Sequence, residues 1–231
     1  FLGASQTVTG SKYLLETPEL NILIDCGMFQ GLKELRLLNW EKFPFSPEKI
    51  DLILLTHGHL DHTGYLPKLW QQGFTGAIFG SAPTLEIASI ILRDSAKIQE
   101  EDAARANENG TSIHDPAKPF YTIKDAEATI KLFQQANMET WMVLNSQIKV
   151  RFKKNGHILG ATFIELKISE KVFLFSGDIG RVKDRLLEAP EKPDWADFLF
   201  LESTYGNRLH AEEDVEAKLI QCIKEVLVNK G

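Results

Sequence analysis

Ile50-Asp51-Leu52-Ile53-Leu54-Leu55-Thr56-His57-Gly58-His59-Leu60-Asp61-His62-Thr63-Gly64 runs an apolar strand straight into four metal-capable side chains. A lone imidazole is usually a hydrogen-bonded core or surface group, because a buried polar atom needs a partner but not a metal. Four such groups together are hard to place in a core. A strand alternates its faces, so an extended exit points His57 and His59 the same way, where both can hold one ion. Asp61 and His62 fall in the turn that follows. Thr63-Gly64 breaks the strand, and Leu66, Leu69 and Trp70 then repeat at helical spacing, with Pro67 in the first turn. The run therefore sits on a strand-to-helix loop, a rigidly framed place for reactive groups.

Two later positions have matching contexts. His157, in Asn155-Gly156-His157-Ile158-Leu159-Gly160-Ala161, lies between an alternating strand pattern over 147–153 and an apolar one over 162–168. Asp178, in Phe175-Ser176-Gly177-Asp178-Ile179-Gly180, follows the strand pattern 171–176. Alone, each reads as a turn residue beside glycine. Next to an existing His/Asp cluster, strand ends flanked by glycine are natural places to recruit further ligands.

Strand patterns cluster early, over 12–16, 21–25 and 50–56, and late, over 141–144, 147–153, 162–168, 171–176 and 197–201. Helical patterns fill the middle. A stretch opened by Pro83 carries Leu85, Ala88, Ile91 and Leu92 on toward Ala106 and stops at Asn109-Gly110, and a second covers 124–135. A last helix is predicted over 212–228. Residues 107–120 read as a loop with His114 on the surface, and 190–193 as a short linker.

The 231 residues, 43% hydrophobic and 25% charged, suit a soluble α/β chain with a substantial core. Cys26 and Cys222 are far apart and form no C-x-x-C pattern, which argues against a thiolate zinc site or a disulfide framework and points to a reducing, cytoplasmic setting. No run approaches the roughly twenty apolar residues of a membrane span, and no membrane partner is expected. The net charge of −6 argues against a nucleic-acid partner, whose affinity rests on cations that neutralise phosphates. The one basic stretch, Lys149-Val150-Arg151-Phe152-Lys153-Lys154, alternates and reads as the solvated face of a strand.

In their order and spacing, His57, His59, Asp61, His62, His157 and Asp178 resemble the ligand motifs of the metallo-β-lactamase superfamily. Gly3-Ala4-Ser5-Gln6-Thr7-Val8-Thr9-Gly10-Ser11 resembles the opening of its β-CASP nucleases, and Leu201-Glu202-Ser203-Thr204-Tyr205-Gly206-Asn207-Arg208 resembles the start of their inserted β-CASP domain. That branch includes ribonuclease J and the endonuclease of messenger-RNA 3′-end processing. The resemblance implies the N-terminal, incomplete part of a metallo-β-lactamase αββα sandwich over residues 1–201 and the beginning of a β-CASP domain over 202–231. It implies that His57, His59 and His157 bind one zinc, Asp61 and His62 a second, and that Asp178 bridges both. Asp25 matches an aspartate that supports the metal loop from behind the ligands; its reading as an ordinary turn residue before Gly27 stays open. Glu202 matches the first β-CASP acidic motif, beside the metals. In the family a further ligand histidine and two more β-CASP motifs lie well beyond that motif, and His210 is too near Glu202 to be that histidine. With no initiating Met either, the chain is expected to be truncated at both ends.

The activity implied is hydrolysis of RNA, single-stranded RNA first, by a metal-activated hydroxide at a dinuclear zinc site, with Asp61 and Glu202 as catalytic carboxylates. Iron and manganese suit the same donors. Two divalent ions against Asp61 and Asp178 keep a charge of about +2, which attracts a phosphodiester. Two alternatives stay open: hydrolysis of a small thioester or lactam on the same core, and a catalytically silent subunit that holds a processing complex together. A homo-oligomer or a processing complex is the expected assembly.

Overall fold

A computed structural model, describing residues 1–209 and 214–228, arranges ten strands in two five-stranded sheets. The first contains β1 (Tyr13–Glu16), β2 (Asn21–Ile24), β3 (Leu52–Leu54), β4 (Ala77–Gly80) and β5 (Phe133–Gln135) in sequence order, antiparallel at β1–β2 and parallel from β2 onward. The second contains β6 (Met142–Val143), β7 (Ile148–Lys154), β8 (Thr162–Ile168), β9 (Lys171–Phe175) and β10 (Phe198–Phe200). It is antiparallel except where β10 joins β9 in parallel. The helices are α1 (Lys33–Leu38), α2 (Leu60–Thr63), α3 (Leu66–Gln71), α4 (Ala82–Asn109), α5 (Ile123–Ile130) and α6 (Val215–Val228).

Parallel strands are covered on both faces and read as continuous apolar runs. Ile22, Leu23 and Ile24 are accordingly all fully buried. Ile22, Ile24, Leu52 and Leu54 meet Val150, Phe152, Ile164 and Leu166 in the core between the sheets. Leu23, Ile53 and Ile78 belong instead to the core shared with Leu66, Leu69, Leu85, Leu92 and Ala126 of α3, α4 and α5. The layers are thus helices, sheet, sheet, the α/β sandwich expected. In the second sheet β7 carries the basic stretch, where Arg151 pairs with Glu165 and Asp194, Lys153 with Glu191 and Lys154 with Glu188, and Lys149 lies over the Trp141 ring.

Three features depart from the sequence reading. Residues 124–135 are not one helix, because α5 ends at Ile130 and β5 pairs with β4, Phe133 opposite Ile78. A helical apolar period cannot announce an edge strand whose partner is distant in sequence. The short strand β4 itself carries only four residues and was not anticipated. Helix α1 buries none of its residues, so it leaves no amphipathic signature. The helix predicted over 212–228 appears as α6 from Val215; Glu212 and His210 lie outside the described residues. Helix α4 obeys its end signals: Ser81 accepts the Thr84 N–H, and Gly110 closes the helix at φ +60°. Among the described residues no helix is long and apolar enough to cross a membrane.

Candidate metal centre

Strands β2, β3, β9 and β10 end at one edge of the sandwich, as does the β7–β8 connection. Loops diverge from the carboxyl ends of parallel strands and leave a crevice there. Asp25 follows β2, His57 to His62 follow β3, His157 sits between β7 and β8, Asp178 follows β9 and Glu202 follows β10. The ligand-type side chains are therefore delivered by both sheets.

His57 Nε2 lies 3.0 Å from His59 Nδ1, and His157 Nε2 lies 3.2 Å from that same atom. Asp178 Oδ2 lies 3.7 Å from His57 Nε2 and 3.4 Å from His157 Nε2. A tetrahedral ion with ligands at about 2.0–2.1 Å has edges of roughly 3.3–3.5 Å, so this spacing fits one divalent cation. The four ligand atoms all lie within 4.8 Å of one another. Donor chemistry makes the same point: two facing imidazole nitrogens can share one proton, three cannot, and a central cation satisfies all of them. These residues form a divalent-metal-binding His/Asp cluster. Burial first, then the neighbouring imidazoles of His62, His59 and His157, hold His57 well below the usual range; burial and His157 lower His59 too. Both shifts favour the neutral ring, which is the ligating form.

Behind the cluster stands Asp25, 1% exposed. Its carboxylate accepts the Thr56 N–H at 2.8 Å and the Thr56 hydroxyl at 2.7 Å. With its proton committed to Asp25, the Thr56 oxygen accepts from His57 Nδ1 at 3.1 Å and leaves Nε2 as the atom offered to a metal. Asp25 also takes His62 Nδ1 at 2.8 Å. The other nitrogen of His62, Nε2, faces Asp178 Oδ1 at 3.2 Å and Asp61 Oδ2 at 3.9 Å. Asp178 thus reaches the two sets of side chains through opposite oxygens. Burial pushes His62 down, but Asp25 and Asp178 outweigh it and hold the ring up to about 10. Burial likewise would raise Asp178, yet His62, then His157 and His59, keep its carboxyl below the usual range. A cation bound by His62 Nε2 displaces a proton from it.

Backbone contacts fix the loops. Cys26 N–H donates to the His62 carbonyl at 2.8 Å, Met28 N–H to Leu60 at 3.1 Å and Ser11 N–H to Asp61 at 2.9 Å. The chains pass so closely that a Cβ on Gly27 would lie 1.5 Å from the Asp61 carbonyl oxygen. Asn155, 2% exposed, donates from Nδ2 to the carbonyls of Ser176 at 2.6 Å and Asp178 at 2.5 Å. The far end of the His157 loop is held at Gly160, whose carbonyl accepts the hydroxyls of Ser81 at 2.6 Å and Thr84 at 2.8 Å. Glu202 accepts the N–H of Ile179 at 2.9 Å and of Thr204 at 3.3 Å, which ties the Asp178 loop to its own. Thr56, Asn155 and Gly27 escaped assignment from sequence. Asn155 and Gly27 sit inside quoted motifs, beside His157 and Asp25, and that adjacency is the only local signal they carry. A cavity of about 300 Å³ opens beside the second set and borders Tyr13, Asp25, His62, Asp178 and Glu202.

The family model described as "Metallo-beta-lactamase superfamily" matches residues 7–81. The chain is 34% identical over 230 residues to Ribonuclease TTHA0252 of Thermus thermophilus, covering 99% of this chain and 49% of that protein. It is 29% identical to the transcription termination factor FttA of Methanocaldococcus jannaschii, covering 100% of this chain and 35% of that protein. It is 31% identical to cleavage and polyadenylation specificity factor 73 of Drosophila melanogaster, covering 100% and 32%. The chain spans about half or less of the length of these relatives. The two-sheet fold, the His/Asp cluster at its edge and these matches agree: the chain is similar to the metallo-β-lactamase superfamily, and its terminal motifs resemble those of the β-CASP branch.

Proposed function

We propose that the protein hydrolyses phosphodiester bonds of single-stranded RNA at this centre, loaded with two zinc ions. The observation that carries the reading is the convergence of three imidazole nitrogens with Asp178 Oδ2, in a chain similar along its whole length to a protein named a ribonuclease. Bound divalent metal supplies the acidity that activates water and offsets charge on the phosphorus oxygens. His57, His59 and His157 would hold one ion and Asp61 and His62 the other, with Asp178 facing both sets of side chains. Asp25 orients His62 directly and His57 through Thr56. Asp61 accepts the proton as the water oxygen bonds to phosphorus and the bond from phosphorus to the leaving oxygen breaks. Glu202 positions the Asp178 loop, and residues 202–231 begin a β-CASP domain that walls the substrate groove. The setting is cytoplasmic, in a homo-oligomer or a processing complex.

The test is metal analysis of the full-length protein together with cleavage of labelled single-stranded RNA, for wild type, His59→Ala and Asp178→Ala. Two zinc ions per chain, with cleavage lost in both variants, is the expected result. Bound metal without cleavage of RNA or DNA moves the reading to a small-molecule hydrolase or a silent scaffold, and absence of metal overturns it.

A further inference from the structure

An acidic chain that takes RNA must find donors for phosphate oxygens somewhere other than in a basic stripe. Of the basic stretch on β7, Arg151, Lys153 and Lys154 are paired with Glu165, Glu191 and Glu188, and Lys149 lies over the Trp141 ring. Among the described residues no Lys or Arg lines the cavity beside the metal centre. Its carboxylates are already engaged: Asp25 by Thr56 and His62, Glu202 by the N–H groups of Ile179 and Thr204.

The loop before β1 closes one side of this cavity through Ala4, Gln6, Thr7 and Val8. Ala4 and Gln6 hold φ of +52° and +64°, whereas Ser5 and Thr7 stay out of the positive range, and the chain bends sharply from Ser5 to Thr9. Non-glycine residues enter that region rarely, and such strain persists where a ligand clamp needs it. Alternating handedness along consecutive residues turns their amide N–H groups toward one side, forming an anion-binding concavity. Among the described residues, no protein acceptor takes the N–H of Ser5, Gln6, Thr7 or Val8. Thr7, Ser203 and Thr204 border the same space.

We propose that the backbone amides of Ser5 to Val8 form a phosphate-binding site, holding an RNA backbone phosphate neighbouring the one at the metal centre. The assignment of that phosphate to RNA rests on the nuclease reading. Main-chain donors suit this role because they bring no counter-charge that would compete with the metals for the carboxylates, and they ignore base identity.

The experiment follows backbone amide resonances of 15N-labelled full-length protein in the presence of chelator, titrated with inorganic phosphate and then with a short phosphorothioate single-stranded RNA. Residues 5–8 are expected to shift saturably with both. Gln6→Gly, which tolerates positive φ, is expected to bind within about twofold of wild type. Gln6→Val, whose β-branched side chain opposes positive φ, is expected to weaken both ligands at least tenfold while resonances of β7 stay in place. Unmoved resonances at 5–8, or equal binding by Gln6→Val, would overturn the site. A response to inorganic phosphate alone overturns its assignment to RNA. A protein that cleaves no RNA when loaded with zinc, yet shifts at 5–8 with RNA, sinks the nuclease reading and leaves the phosphate site standing.

Discussion

Asn155 donates from its side-chain amide to the Asp178 carbonyl at 2.5 Å, joining the loop that carries His157 to the loop that carries Asp178. The same amide holds Ser176, and the Asn155 carbonyl accepts the Gly180 N–H at 2.9 Å. Asn155→Ala takes the donor from one buried and one half-buried carbonyl and is expected to destabilise the protein by roughly 2–4 kcal/mol. Asn155→Asp is expected to be worse, since it sets a carboxylate against two carbonyl oxygens. Urea denaturation of the metal-free variants checks the order, and an Asn155→Asp protein as stable as wild type would refute it.

Gly160 holds φ +80°, and a Cβ there would lie 2.7 Å from both the Pro83 Cβ and the Thr84 N. Gly160→Ala therefore pushes the His157 loop away from the start of α4. The expected outcome is a folded protein with at least tenfold weaker zinc affinity, read by competition with a chromogenic chelator. Unchanged affinity would mean that the Ser81 and Thr84 clamp does not set the position of His157.

Asp61 offers its oxygen 3.9 Å from His62 Nε2 and is partly exposed at the mouth of the centre. Asp61→Ala in the full-length protein is expected to abolish hydrolysis, by 10³-fold or more as an order of magnitude for a combined ligand and proton acceptor, with thermal unfolding little changed. Retained cleavage in a folded, metal-loaded Asp61→Ala protein would refute the role.

Lys12 is 2% exposed; its ammonium donates to the Gly10 carbonyl at 3.3 Å and lies over the rings of Phe29 and Tyr65. Burial lowers it to about 8, against a small opposing pull from Cys26. Because the folded-state value lies below the unfolded one, the penalty is complete below pH 8 and disappears as pH rises toward 10.5. Lys12→Met is expected to stabilise the protein by up to about 3 kcal/mol at pH 7, less the loss of the ring contacts. That advantage should fade by pH 10 in urea melts, and a gain independent of pH would place the effect in packing alone.

The ligand positions after β3 are legible in sequence because His57, His59, Asp61 and His62 crowd one short loop behind an apolar strand. His157 and Asp178 are legible because each stands at a strand end beside glycine. Thr56 and Asn155 are not, since their roles are hydrogen bonds to residues brought close only by folding. The sandwich is legible as alternating and continuous apolar runs. The pairing of β5 with β4 is not, because the Phe133 segment continues a helical period and its partner is distant in sequence. Helix α1 hides for the opposite reason, having no buried face to impose a pattern.

The split origin of the cluster gives the cation a structural office as well as a chemical one. His57 and His59 hang from the first sheet, while His157 and Asp178 hang from the second, so neither half can assemble the binding geometry alone. An ion that binds only the assembled pair acts as a rivet between them and adds its binding free energy to the closed sandwich. Chelation should therefore loosen the seam between the sheets before it loosens either sheet, and a lesion deep in that seam should empty the centre without touching a ligand.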